Sequence, residues 1–118
     1  MSIGGANGDL LSRMMDAATL RHEVLSNNLA NQNTPGFTRS VVQFESLVRD
    51  AVMGGSAKAR DILPTVTPDE ASPKSDDGNN VNLELELNAI RENQLLFDTY
   101  ASIMKSNFDI LQSSIQSR

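Results

Sequence analysis

The chain has 118 residues, enough for one modest domain, and only 4% are aromatic, so a core must rely on Leu, Ile, Val, Met and Ala. A net charge of −5 with scattered Lys and Arg argues against nucleic-acid binding, and the lack of cysteine excludes disulfides and thiolate metal sites. No apolar run approaches the roughly 20 residues that span a bilayer. The segment up to Asp9 has no basic region followed by a hydrophobic one, so we expect no cleaved signal peptide.

The first predicted element is a helix over residues 10–32. Asp9 is its predicted N-cap. The helix should end before Asn33, because Pro35 and Gly36 suit the two central positions of a type II turn. Its apolar stripe has spacings of four and three and consists of Leu11, Met15, Ala18, His22, Leu25 and Leu29.

Residues 33–80 are predicted to connect this helix to a second one. A short helix that Gly54 and Gly55 terminate is suggested by the spacing of Val41, Phe44, Leu47, Val48 and Ala51. Beyond it, three prolines among Ser, Thr and acidic residues indicate an extended or mobile connector. We therefore expect an isolated subunit to be poorly ordered in its middle.

The last predicted element is a long helix over residues 81–117. A stripe with spacings of four and three runs through it without a break: Leu83, Leu87, Ile90, Gln94, Phe97, Ala101, Met104, Phe108, Leu111 and Ile115. Sustained over this length, the pattern is typical of a coiled-coil-like seam with Gln94 as its polar interruption. Alternation between Val81 and Leu87 leaves a short strand open as an alternative start. The predicted fold is a single all-α domain, mainly helical, with two long terminal helices packed as a coiled-coil-like pair and joined by a short irregular connector.

Catalytic chemistry finds little support in the sequence. His22 is the single histidine, it lies within an apolar stripe, and no second His or Cys could complete a typical site with it. The acidic loop fails as a calcium site, because aligning Asp77, Gly78 and Glu84 with an EF-hand loop places Pro73 at the first ligand position. We expect no enzyme activity, no cofactor and no metal.

A cluster of amide side chains at the end of the first helix is more informative. Five amides fall within the seven positions from Asn27 to Asn33. Asn is a mediocre helix former, so such a cluster is costly unless the amides find partners. The alternatives are an ordinary frayed helix end or repeated contacts between subunits, which amides suit because they donate and accept.

The stretch Asn-Asn-Leu-Ala-Asn-Gln-Asn-Thr-Pro-Gly-Phe, from Asn27 to Phe37, resembles the amino-terminal signature of the flagellar rod, hook and hook-associated proteins. Phe37 stands where Tyr is commoner in that signature. The short connector resembles that of proximal rod subunits, since hook and distal rod proteins carry long β-rich domains. The segment Asp77-Gly-Asn-Asn-Val-Asn-Leu-Glu84 and the long helix after it resemble the carboxyl end of one proximal rod type.

The resemblance implies a structural part of the proximal rod of the bacterial flagellar basal body, which packs its terminal helices into a hollow drive shaft. It implies export through the flagellar apparatus without a cleaved signal, and a final place in the periplasmic rod. The implied partners are other rod subunits, copies of the chain itself, and basal-body ring and export-gate proteins. No nucleic acid partner and no transmembrane segment are expected.

Motif and spacing together predict a subunit interface. Its predicted residues are Leu25, Asn27, Asn28, Leu29, Asn31, Thr34, Pro35, Gly36, Phe37, Leu87, Ile90, Phe97, Met104, Phe108, Leu111 and Ile115. The alternative function is a soluble helical adaptor or export chaperone that binds a partner helix along the Leu83–Ile115 seam.

Overall fold

A computed structural model describes residues 6–55 and 61–116. Its elements are α1 (Ala6–Ala30), β1 (Ser40–Gln43), α2 (Glu45–Gly54), β2 (Thr65–Pro68) and α3 (Leu83–Gln116). The molecule measures 66 × 30 × 14 Å, an elongated shape set by α3, whose 34 residues extend about 50 Å. Within the described ranges, none of the helices combines the length and apolar character needed to cross a membrane.

The two terminal helices pack against each other in antiparallel orientation. Ala18 of α1 accepts a hydrogen bond from Asn93 of α3, and the carbonyl of Asn31, just past α1, accepts one from Asn79, just before α3. The prediction of two long, packed terminal helices is therefore confirmed.

The ends of α1 differ in part from the prediction. The helix begins at Ala6, so Asp9 lies in its first turn and the prediction of Asp9 as N-cap was wrong. A carboxylate in that turn still favours the helix through the positive amino-terminal end of the helix dipole. The predicted turn is present: Phe37 N–H donates to the Thr34 carbonyl, and Gly36 has a φ of 75°, which a type II turn requires at that position.

The connector is more ordered than the sequence suggested. β1 and β2 form a two-stranded antiparallel sheet in which Ser40 is opposite Pro68 and Gln43 is opposite Thr65. Assigning Val41 to the short helix was wrong, because it belongs to β1. Residues 56–60 of the predicted connector lie outside the described residues, as does residue 117, the predicted last residue of the final helix.

The predicted short helix is present as α2, but it begins at Glu45, so Phe44 is its N-cap and not one of its helical residues. Gly55 takes a left-handed conformation with φ of 68° and donates its N–H to the carbonyls of Ala51 and Val52, which terminates the helix. α2 closes a small core formed by Ala17, Phe44 and Ile62, with partly buried side chains around it: Leu10, Met14, Leu47, Val48 and Ala51.

α3 presents a different face to α1 from the one its apolar stripe predicted. Gln94, a predicted seam residue, is exposed, whereas Glu86 and Asn93 are buried. Ile90 and Phe97 belong to both faces and are half-buried. The predicted seam is thus rotated relative to the packed one. The alternative strand before the helix was wrong as well, because α3 is helical from Leu83.

Candidate functional site

Six polar side chains gather where the end of α1, the β-sheet and the start of α3 meet. We call this cluster the junction, and its members are Asn28, Arg39, Asp69, Asn79, Asn80 and Glu86. Four of them, Asn28, Asn79, Asn80 and Glu86, are buried. Buried polar groups are costly unless they are hydrogen-bonded, so their partners decide whether the cluster holds the fold together.

Arg39 is the centre of the junction. Its Nε donates to Glu86 Oε1 at 2.5 Å, and its Nη1 donates to Asp69 Oδ2 at 2.6 Å. The Arg39 side chain is 17% exposed and that of Glu86 only 1%, so water screens this pair weakly. Burial alone would lower the pKa of Arg39, but its bonds to Glu86 and Asp69 outweigh burial and raise that pKa.

Asp69 is held by its own loop as well as by Arg39. The Ser72 hydroxyl donates to Asp69 Oδ2 at 2.6 Å, and the N–H groups of Ala71 and Ser72 donate to Oδ1. The Ser72 bond first, and the Arg39 bond next, hold the pKa of Asp69 far below its ordinary value. Asp69 is therefore ionised throughout the neutral range.

Asn79 and Asn80 connect the segment before α3 to the rest of the junction. Asn80 Nδ2 donates to the Asp69 carbonyl at 2.8 Å, while its Oδ1 accepts the Arg39 N–H at 2.6 Å. Asn79 Nδ2 donates to the carbonyls of Asn31 and Thr34, which follow the end of α1. Each amide thus ties two chain segments that are distant in sequence.

Asn28 performs a similar task from the last turns of α1. Its Nδ2 donates to the Ser40 carbonyl at 2.8 Å, and its Oδ1 accepts the Ser40 N–H at 2.9 Å. The amide therefore satisfies both backbone groups of the first residue of β1, as a neighbouring strand would.

The two motifs that carried the resemblance meet at this place. Gly36 N–H donates to the Asp77 carbonyl at 2.8 Å, and Asn80 N–H donates to the Phe37 carbonyl. Gly78, with φ of 85°, lies against Gly36, where its left-handed conformation favours glycine. Motifs separated by about 40 residues in sequence thus form one structural unit within the subunit.

The structure divides the predicted interface residues into three groups. Leu25 and Asn28 are buried and contact their own chain, so they are not available to a neighbour. Half-buried positions are Leu29, Asn31, Phe37, Leu87, Ile90 and Phe97. Exposed positions are Asn27, Thr34, Pro35, Gly36, Met104, Phe108, Leu111 and Ile115.

Sequence reasoning missed Arg39, Asp69 and Glu86 as site residues. Nothing local marks Asp69, because its partner Arg39 is 30 residues away. Glu86 carried a signal: it stands seven positions before Asn93, and both flank the apolar positions Ile90 and Phe97. Two polar residues spaced by a heptad on an otherwise apolar face indicate a buried polar pair.

The helices leave apolar side chains such as Phe108 uncovered and are linked by a hydrogen-bonded polar junction, an arrangement that suits a structural subunit of a larger assembly. The family described as "Flagella basal body rod protein" matches residues 11–38. Flagellar basal body rod protein FlgB of Borrelia hermsii is 28% identical over 92% of this chain and 94% of its own length. The FlgB proteins of Borreliella burgdorferi (28%, 85% of this chain and 88% of its own) and Yersinia enterocolitica (25%, 81% and 83%) are also similar.

The chain is therefore similar to flagellar basal body rod proteins, locally to the family model and over most of its length to the three relatives. All three matched names are those of flagellar basal body rod proteins of the FlgB type. They favour the rod over the alternative of a soluble adaptor or export chaperone.

Proposed function

We propose that this chain is a proximal rod subunit that contacts its neighbours through apolar side chains of α3 that its own helices leave uncovered. Similarity to basal body rod proteins over most of the chain supports a structural role in the rod. The observation that carries the proposal is the exposure of Phe108, a large apolar side chain that is 64% accessible on the last turns of α3. Large apolar patches on a soluble surface mark interaction sites.

The uncovered end of α3 follows from the unequal lengths of the helices. With Ala18 opposite Asn93, the start of α1 at Ala6 lies opposite about residue 105 of α3. The face that packs on α1 reaches Met104 at about that level and continues beyond it with Phe108, Leu111 and Ile115, all of them exposed. A helix from a neighbouring subunit could cover this end of α3, as α1 covers the earlier part of the same face.

A second apolar stripe lies on another side of α3. Leu85, Leu96, Ile103 and Ile110 are exposed, and spacings of eleven, seven and seven place them in one row. This row is about 100° around the helix from the face that packs on α1. A helix with two apolar faces is suited to contact two other helices, and the described chain covers only one of those faces.

The turn beside the junction offers a third contact area. Asn27, Thr34, Pro35 and Gly36 are exposed there, while the junction holds the backbone beneath them. We propose that this rigid turn contacts neighbouring rod subunits, including copies of the chain itself. Contacts with basal-body ring and export-gate proteins, a periplasmic position and export without a cleaved signal are further proposals, which the resemblance of Asn27 to Phe37 supports.

The experiment compares two charge substitutions in a strain that lacks the chromosomal copy. Phe108→Asp places a carboxylate on the uncovered end of α3, so the subunit should fold normally but fail to join the rod. Ser106→Asp adds the same charge nearby on the opposite side of α3 and is the matched control. Circular dichroism of the purified variants measures folding, and basal bodies isolated from the cells report assembly.

Leu25→Asp separates folding from assembly. Leu25 is buried between the elements of the subunit, so a carboxylate there should prevent folding itself. Both variants should therefore fail to assemble. The Phe108→Asp variant should keep its native helix content, whereas the Leu25→Asp variant should lose helix content. If the Phe108→Asp variant formed normal rods, the proposal that the end of α3 contacts neighbouring subunits would be wrong.

A further inference from the structure

α3 could pack on α1 with either of two faces. One face is lined by Glu86, Ile90, Asn93 and Phe97, and it is the face observed. The other is the more apolar seam, in which Leu87 and Gln94 replace Glu86 and Asn93. Averaged over these positions, the two faces are separated by about 50° of helix rotation, at about 100° per residue. Apolar burial alone would favour the second face, so another term must select the first.

The polar residues of the observed face have specific partners. Glu86 meets Arg39 at 2.5 Å, and Asn93 Nδ2 donates to the Ala18 carbonyl at 2.7 Å. Glu86 and Asn93 are about 10 Å apart along the helix, so Arg39 cannot serve as the partner of Asn93, nor the Ala18 carbonyl as that of Glu86. Both bonds can therefore form together only at one rotation and one register of α3 relative to α1.

This selection has a cost, and the structure shows it. Asn93 is 4% exposed, and its Oδ1 has no hydrogen-bond partner in the described part of the chain. An unpaired buried acceptor destabilises a fold. A polar residue kept in a helix seam despite such a cost is the known means by which helix pairs fix their register.

We propose that Glu86 and Asn93 together determine which face of α3 packs on α1. Rotation of α3 to its more apolar face would separate Glu86 from Arg39 and Asn93 from Ala18, which leaves charges and amide groups without partners. The polar pair thereby also keeps the stripe of Leu85, Leu96, Ile103 and Ile110 outward. This inference concerns the isolated subunit and does not depend on rod assembly.

The test measures the distance between α1 and α3 in the full-length chain. The sequence has no cysteine, so the substitutions Ser12→Cys and Ser102→Cys, both at exposed positions, introduce the only two sites for spin labels. The native chain should give one narrow distance. In Glu86→Leu/Asn93→Leu the distribution of distances should broaden or split, with displacements of roughly 4–5 Å, because a rotation of about 50° moves a surface side chain by most of a helix radius.

The matched control replaces the same residue types on an exposed side of the same helix. Glu84→Leu/Asn88→Leu adds equal apolar surface at two exposed positions roughly opposite the face that packs on α1, so it should keep the single native distance. The single variant Glu86→Leu retains Asn93, so its distribution of spin-label distances should be narrower than that of the double variant. An unchanged distance in the double variant, or a native chain without a defined distance, would overturn the proposal.

Discussion

Replacing Arg39 by leucine tests whether the junction holds the ends of the two long helices together. The change leaves Glu86 buried without its cation, while Asp69 keeps its bonds to Ser72 and to its own loop. Removing one partner of a buried ion pair costs about 3–5 kcal/mol. We expect about 3 kcal/mol in the free energy of unfolding, the lower end, because the Arg39 side chain retains 17% exposure.

That loss is large relative to the stability of a small domain, which is on the order of 5–15 kcal/mol. The midpoint of thermal unfolding should fall by roughly 10–20 °C. Urea unfolding of the single variants and of Arg39→Leu/Glu86→Leu completes a double-mutant cycle, in which the double variant should recover most of the loss. A cost below about 1 kcal/mol for Arg39→Leu, the range of an exposed pair, would refute the reasoning.

Two further predictions concern the same junction. Folding lowers the pKa of Asp69, so the stability that its carboxylate contributes is complete above the unfolded pKa of about 3.9 and is lost as the pH falls toward the folded pKa. Asp69→Asn removes this contribution, so the difference between the urea midpoints at pH 7 and at pH 3 should be smaller in the variant than in the native chain. Asn80→Ala leaves the Arg39 N–H and the Asp69 carbonyl without their buried partner and should cost about 2 kcal/mol in urea unfolding. Its control Asn27→Ala, at an exposed position, should stay within about 0.5 kcal/mol.

The sequence predicted what depends on local chemistry. Helix periodicity located α1, α2 and α3, and Pro35 and Gly36 located the turn, because these signals act between residues close together in the chain. The sheet was not predicted, since β1 and β2 have four residues each and their pairing depends on contacts between distant segments. The outcome agrees with the general rule that strand formation reflects tertiary context more than helix formation does.

The candidate site was predicted only in part, for a related reason. The motifs from Asn27 to Phe37 and from Asp77 to Glu84 were both singled out, but as separate features. An amide cluster was attributed to contacts between subunits, whereas Asn28 is bound to Ser40 within the chain. Propensity shows that buried amides need partners, but it cannot show whether those partners lie in the same molecule.

The seam of α3 shows where pattern reasoning fails on physical grounds. Ranking faces by apolar content assumes that burial decides packing, and on that basis Gln94 belonged inside and Asn93 outside. The structure reverses them, because Asn93 and Glu86 have partners on α1 and near β1, while Gln94 binds only Asp98 on its own helix surface. In a subunit that keeps apolar surface exposed for its neighbours, apolar content alone cannot determine which helix face packs inside the subunit. Polar partners that exist on one side only make that choice, and the exposed stripe of Leu85, Leu96, Ile103 and Ile110 then remains available for assembly.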